Sequence, residues 1–142
     1  MEAPRPSAET LRRARLFWRQ ARDDLKAAAR RLKAGAGLES GYLSAQAASN
    51  ALSTVCCLHG RFQLPTHSPA RMAGLCEELD ARFAALGDAC AGLEEVQQHS
   101  PFAPPEPAAA LALARRALEQ GGAVCEEVRA YLREHRGRFF AP

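Results

Sequence analysis

Apolar side chains recur along this chain at alternating spacings of three and four, the period of one helix face. Leu11, Ala14, Trp18, Ala21, Leu25, Ala28 and Leu32 form the first such stripe. Ser7 or Thr10 is placed to cap it, Glu9 lies near its positive end, and Gly35 and Gly37 end it. Trp18 is the largest ring on the stripe and is expected to anchor it in the core. The second segment, from about Ser40 or Gly41 to His59, is apolar on two sides. Tyr42, Ala45, Leu52 and Cys56 mark one side and Ala48, Ala51, Val55 and Leu58 the other, so this helix is predicted to be buried between neighbours. Its many alanines and serines permit close approach, and Gly60 is the expected left-handed stop.

Ser68-Pro69 reads as a cap followed by proline at the first helical position. Met72, Cys76, Leu79, Phe83, Leu86, Cys90 and Leu93 then continue the spacing without a slip, predicting one helix from Pro69 to about Gln98. A break at Gly87-Asp88, giving a fifth short helix, is the alternative. Four prolines between His99 and Pro107 interrupt the helical pattern. The last helix, about Pro107 to His135, carries Leu111, Ala114, Leu118, Gly121, Cys125, Val128 and Leu132. The fold class is therefore all-α, an up-down four-helix bundle over residues 7–136, with tails at 1–6 and 137–142. Phe139-Phe140 in the second tail either docks on a partner or folds back on the bundle.

The 142 residues are 47% hydrophobic and 25% charged, the balance of a globular domain with one core. No run approaches the roughly 18 apolar residues of a membrane span, and the first residues lack the apolar core of a secretory signal. The five cysteines lie in apolar helical stretches, and an odd number cannot pair completely, so a reducing cytoplasm is the expected compartment. The net charge of +3 hides an asymmetry. Between Thr10 and Ala34 nine basic residues face two acidic ones, a net +7 that leaves −4 for the rest.

Arg15, Arg19, Arg22, Lys26, Arg30 and Lys33 flank the first stripe, as a solvated face or as a site for phosphate, RNA or an acidic protein surface. The basic helix interleaves no exposed aromatics for base stacking, which disfavours RNA and points to nucleotide phosphate or an acidic partner, with Arg22 and Lys26 as candidate ligands. Gln46 and Asn50, four apart on an otherwise apolar helix, either satisfy each other and nearby backbone or point into a polar pocket. His67 either caps a loop carbonyl or joins that pocket as a ligand. Cys56, Cys57 and His59 do not make a metal site, since adjacent helical residues point about 100° apart. They read as core thiols and a histidine at a helix C-terminus. No glycine-rich phosphate loop, Ser/His/Asp set or paired-carboxylate arrangement is present, and the adjacent glutamates at 77–78, 94–95 and 126–127 fall on amphipathic helices. Neither a catalytic residue nor a cofactor is predicted.

A first helix reading WRQARDDLKAA, a second reading YLSAQAASNAL, the His67-Ser68 pair and a last helix reading ALALARRALEQGGAVCEEV together resemble the HEPN domain. The resemblance runs from Leu16 to Leu132. It implies a small helical bundle, homodimeric, that binds a nucleotide or pairs with a separate nucleotidyltransferase-like protein. The chain departs from the family pattern at Gln46, Ser49 and Asn50, where many members have a tyrosine or a glutamine-glutamate pair followed by lysine. It departs again at Gln98-His99-Ser100-Pro101, where an Arg-Tyr-Pro stretch is common. Ribonuclease members place arginine, four to six residues and then histidine near the start of a late helix. Arg61 to His67 and Arg129 to His135 have that spacing but not that position, so a toxin-type, metal-independent ribonuclease is the alternative function, beside a purely structural dimerisation module.

Overall fold

The computed structural model describes residues 5–61 and 68–135. His67, the Arg61 to His67 spacing as a pair, and Phe139-Phe140 therefore lie outside the described residues. Among the described residues the structure is all helical, with no strand.

Capping chemistry sets the helix boundaries. Helix α1 (Ala8–Lys33) begins where the Ser7 hydroxyl accepts the Thr10 amide at 3.1 Å. It ends in a Schellman turn, with Ala36 N–H donating to the Arg31 carbonyl and Gly35 holding φ +81°. Helix α2 (Gly37–Leu58) ends the same way on Gly60, at φ +73°. Helix α3 (Pro69–Leu79) starts as its sequence predicts, on Ser68 followed by Pro69.

The single long third helix is corrected. Asp80 leaves helical geometry at φ −154°, ψ 121°, and its carboxylate accepts the Arg82 amide at 3.0 Å. A 3-10 segment follows (Ala81–Leu86), then α4 (Gly87–Gln97), and α3 packs back against α4, where the Ser68 hydroxyl donates to Glu94. Met72, Cys76, Phe83, Leu86, Cys90 and Leu93 are nevertheless all buried, as the unbroken register requires. The alternative of a fifth short helix is borne out, with α4 starting at Gly87, but the chain leaves helical geometry earlier, at Asp80, which caps a new start without moving the apolar positions out of step. Helix α5 (Pro107–Glu134) closes the bundle.

Helix α2 is the centre. Between Ser44 and Leu58 every residue is buried except Gln46 and Asn50. Contacts from Gly37 to Ala110, Ser44 to Gly121 and His59 to Tyr131 rise together in both helices, so α5 runs parallel to α2. Val96 of α4 packs on Gly41 near the start of α2, while Phe83 meets Tyr131 near the end of α5. The segment from Ala81 to Gln97 thus runs antiparallel to both and fills the third place of the up-down bundle, with α3 as the added fifth helix.

Helix α1 seats on α2 through small residues. Its fully buried positions are Ala14, Ala21, Asp24 and Ala28, whereas Leu11, Trp18, Leu25 and Leu32 are half-buried along the edges. Alanine on alanine draws the helix axes together, which pushes the long side chains of the stripe to the flanks. Trp18 is accordingly an edge residue rather than a core anchor, and the largest fully buried side chains are Tyr131 and Phe83. No helix among the described residues is long and apolar enough to cross a membrane.

Candidate functional site

Both α1 and α5 lie along α2, but they touch each other only lightly. The two helices leave a groove of about 410 Å³ between them, within the range of small-molecule sites. Leu25 and Ala29 of α1 and Leu118 of α5 give it apolar walls, and the buried Cys125 thiol closes one part of the floor. Leu25 and Leu118 are stripe residues that the close α1–α2 and α2–α5 seating leaves half-exposed.

Charge enters from both sides. Arg22 and Lys26, one helical turn apart on α1, are solvent-exposed at the groove, and Glu126 and Arg129 reach it from α5. Arg129 is held against Trp18, with its guanidinium carbon 5.9 Å from the centre of the ring. Three cations and one carboxylate therefore border an apolar cleft, and that combination suits an anion with an apolar body.

Beneath the groove lies a polar contact that the sequence showed only in part. Asp24, almost fully buried, accepts from Gln20 Nε2 at 2.7 Å and from Asn50 Nδ2 at 3.0 Å, tying α1 to α2. Asn50 is thus engaged with Asp24 rather than with Gln46, and Gln46 is exposed. Neither lines the α1–α5 groove. Replacing Asp24 by alanine is expected to destabilise the fold by about 1–3 kcal/mol, because the Asn50 amide loses its buried acceptor. A lower urea midpoint at unchanged slope would report it.

Of the five candidate ligands, the fold brings Arg22 and Lys26 together at the groove and sets Gln46 and Asn50 apart from it. The arginine and histidine of the Arg129 to His135 spacing face different surroundings. Arg129 lies over Trp18, whereas the Nδ1 of His135 is 2.9 Å from the Tyr131 carbonyl oxygen. Six residues on a helix amount to about 240° of rotation beyond one full turn, which separates the two side chains.

A second polar cluster joins the far ends of α2 and α5. The Tyr131 hydroxyl and His59 Nε2 share a 2.5 Å hydrogen bond, and Arg82 reaches over the Tyr131 ring to pair with Glu127 and Glu134. Those carboxylates hold the Arg82 guanidinium protonated still more firmly than usual and neutralise it, so it offers no net positive field to an anion.

All five cysteines are free and buried. Burial pushes the Cys90 and Cys125 thiols up to about 12, which keeps both protonated and poorly nucleophilic. Cys56 and Cys76 approach to 3.6 Å, and the contact between the two thiols lowers Cys56 and raises Cys76, while the Cys76 thiol also lies 3.4 Å from the Leu52 carbonyl oxygen. Among the described residues, no group of three or more histidines, cysteines and acids is arranged to hold a metal ion.

Sequence reasoning weighed Arg129 only for its spacing to His135 and Glu126 only as a surface acid, and it passed over Asp24. Arg129 and Glu126 sit on α5, and only the packing of α5 beside α1 brings them to Arg22. The usable signal for Asp24 was its register, since it falls among the stripe alanines of α1 yet carries a charge.

Neither the curated proteins nor the solved structures compared with this chain contain a match. A family model described as HEPN domain matches residues 14–135. That span takes in most of α1 and all of α2 to α5, including both walls of the groove, and the chain belongs to the HEPN domain family.

Proposed function

We propose that this HEPN domain is a binding module whose α1–α5 groove takes a nucleotide. The observation that supports this reading is the convergence of Arg22, Lys26 and Arg129 over walls formed by Leu25, Ala29 and Leu118. Phosphate oxygens accept from the three cations, while the apolar part of the ligand covers the leucines. Protein docking on the same side is the second reading, favoured by the basic surface of α1 beyond the groove. Arg12, Arg19, Arg30 and Lys33 are exposed there and fit an acidic surface, such as that of a nucleotidyltransferase-like partner. The module works as a homodimer in the cytoplasm, in keeping with the dimerisation common in the family and with five unpaired thiols.

Isothermal titration calorimetry with ATP and GTP tests the nucleotide reading. Binding heat is expected from the native protein, together with at least about a tenfold loss of affinity when Arg22 and Lys26 are both replaced by alanine, since two charge-assisted contacts disappear. Absence of heat with both nucleotides, from protein whose circular dichroism shows the folded bundle, overturns it. A mixture with a nucleotidyltransferase-like protein that then comigrates in size exclusion, and separates when the α1 cations are replaced, would favour the docking reading.

A further inference from the structure

Two thiols away from the groove meet across the contact between α2 and α3. Cys56 lies in the last turn of α2 and Cys76 in the second half of α3, and their Sγ atoms are 3.6 Å apart. That is contact distance for two sulfurs, and a disulfide requires about 2.05 Å. Rotation about the two Cα–Cβ bonds, with a small approach of the eleven-residue α3, supplies the difference. The two side chains differ in access: Cys56 keeps 5% of its surface exposed, whereas Cys76 is fully buried. Of the five thiols only Cys56 is lowered, by its contact with Cys76 and, less strongly, by the Arg61 guanidinium just beyond the helix end, against the opposing effect of burial. The contact with Cys56 raises Cys76, and burial raises Cys57, Cys90 and Cys125. An accessible thiol that ionises more readily, seated against a second thiol, is the arrangement that oxidants attack and that a neighbouring sulfur resolves.

The geometry points to Cys56 and Cys76 as a reversible, peroxide-responsive disulfide couple that links α2 to α3, with Cys56 as the attacking sulfur and Cys76 as the resolving one. In the first step the Cys56 thiolate attacks one oxygen of hydrogen peroxide. The O–O bond breaks, and the hydroxide released takes up the proton that Cys56 gave to solvent, leaving a sulfenic acid. In the second step the Cys76 sulfur attacks the Cys56 sulfur, the S–O bond breaks, and the hydroxyl leaves as water with the Cys76 proton. The two thiols together lose two electrons and two protons, and one peroxide becomes two waters. A dithiol reductant reverses the link by thiol exchange. Other sulfurs are placed less well. Cys57 points about 100° away from Cys56 around the helix and lies 3.6 Å from the Thr10 carbonyl of α1. Cys125 faces the Ala47 carbonyl. Cys90 is near enough to raise Cys76 and is the rival partner that the experiment separates. The link closes a loop between residues twenty positions apart, which restricts the unfolded chain and stabilises the bundle.

The full chain, reduced and then exposed to hydrogen peroxide under native conditions, tests the couple by thiol counting in denaturant, intact mass and peptide mapping. Two of the five thiols are expected to disappear, with the protein lighter by two hydrogens and the cross-linked peptides joining Cys56 to Cys76. Dithiothreitol should restore all five. The Tm should rise by roughly 5–10 °C on oxidation and return on reduction. Cys76→Ala should leave a sulfenic acid at Cys56 that dimedone labels, whereas Cys56→Ala should give neither the label nor the link. Cys57→Ala should close the link as the native protein does. Retention of all five thiols after peroxide, a link made through Cys57 or Cys90, or a dimedone label elsewhere than Cys56 overturns the assignment. So does a linked protein that melts no higher than the reduced one, because a link that strains the native packing is not a built couple. Should an alanine variant fail to fold, the peptide map and melting shift of the native chain decide the matter.

Discussion

Tyr131→Ala should destabilise the bundle by about 3–5 kcal/mol, the usual cost of emptying a buried aromatic site. The ring is almost fully buried and is surrounded on every side. Phe83 lies at 5.2 Å between centroids and tilted by 60°, a favourable edge-to-face arrangement, and the His135 ring is at 4.2 Å. These contacts join the 3-10 segment, the end of α2 and the last turn of α5, three pieces of chain that no local hydrogen bond connects. Truncation leaves a cavity where they meet, and it also deprives His59 of the hydroxyl 2.5 Å from its Nε2. Tyr131→Phe separates the two contributions. It keeps the ring and should cost only about 1 kcal/mol, the net worth of one hydrogen bond. Equilibrium urea unfolding followed by circular dichroism measures both variants. Against a total stability of about 5–15 kcal/mol, the alanine variant should melt far below the native protein. A shift of less than about 1 kcal/mol for Tyr131→Ala would mean that this end of the bundle does not hold the fold together.

Gly121→Val is expected to cost about 3 kcal/mol, at the upper end for overpacking, and its neighbour provides the control. A Cβ on Gly121 would lie 2.9 Å from the Ser44 carbonyl oxygen and 3.4 Å from the Ser44 Cβ. The closer atom is backbone in the middle of α2, so it cannot rotate aside, and relief requires the two helices to separate. Ser44 and Ala47, which meet Gly121 and Cys125 of α5, would lose those contacts if they did. Gly122 has nothing within 4 Å of the same position. Gly122→Ala should therefore stabilise the protein by about 0.5–1 kcal/mol, because alanine is the better helix former and loses less backbone entropy on folding. Thermal melts of the two variants should move in opposite directions. Equal effects would show that the α2–α5 approach is looser than these distances indicate.

The outcome at the candidate site follows the same division between local and long-range information. Arg22 and Lys26 were legible because a turn of helix puts them on one side whatever packs nearby. Asn50 was legible as an odd polar residue on a buried helix, but its partner was not, since Asp24 lies 26 residues away on another element. Trp18 misled, because a large ring on an apolar stripe ordinarily fills a core. Here the alanines of the same stripe take the closest contact and leave the ring at the edge, where Arg129 covers it. The third helix misled in the opposite sense: its apolar register was right at nearly every position, yet Asp80 turns the chain back on itself.

What the sequence by itself determined is what repeats every three or four residues or is closed by a neighbouring side chain: the helical class, the ends of α1 and α2, the burial of α2, and the basic character of α1. These depend on hydrogen bonds and apolar faces within a few residues of one another. Only the tertiary structure decided which helix faces meet. It separated two adjacent glycines into one that cannot accept a methyl group and one that can, and it carried Arg129 across to Arg22 and Lys26. The physical reason is that periodicity specifies the direction of a side chain about its own helix axis, while the distance between two axes is set by the smallest residues trapped between them.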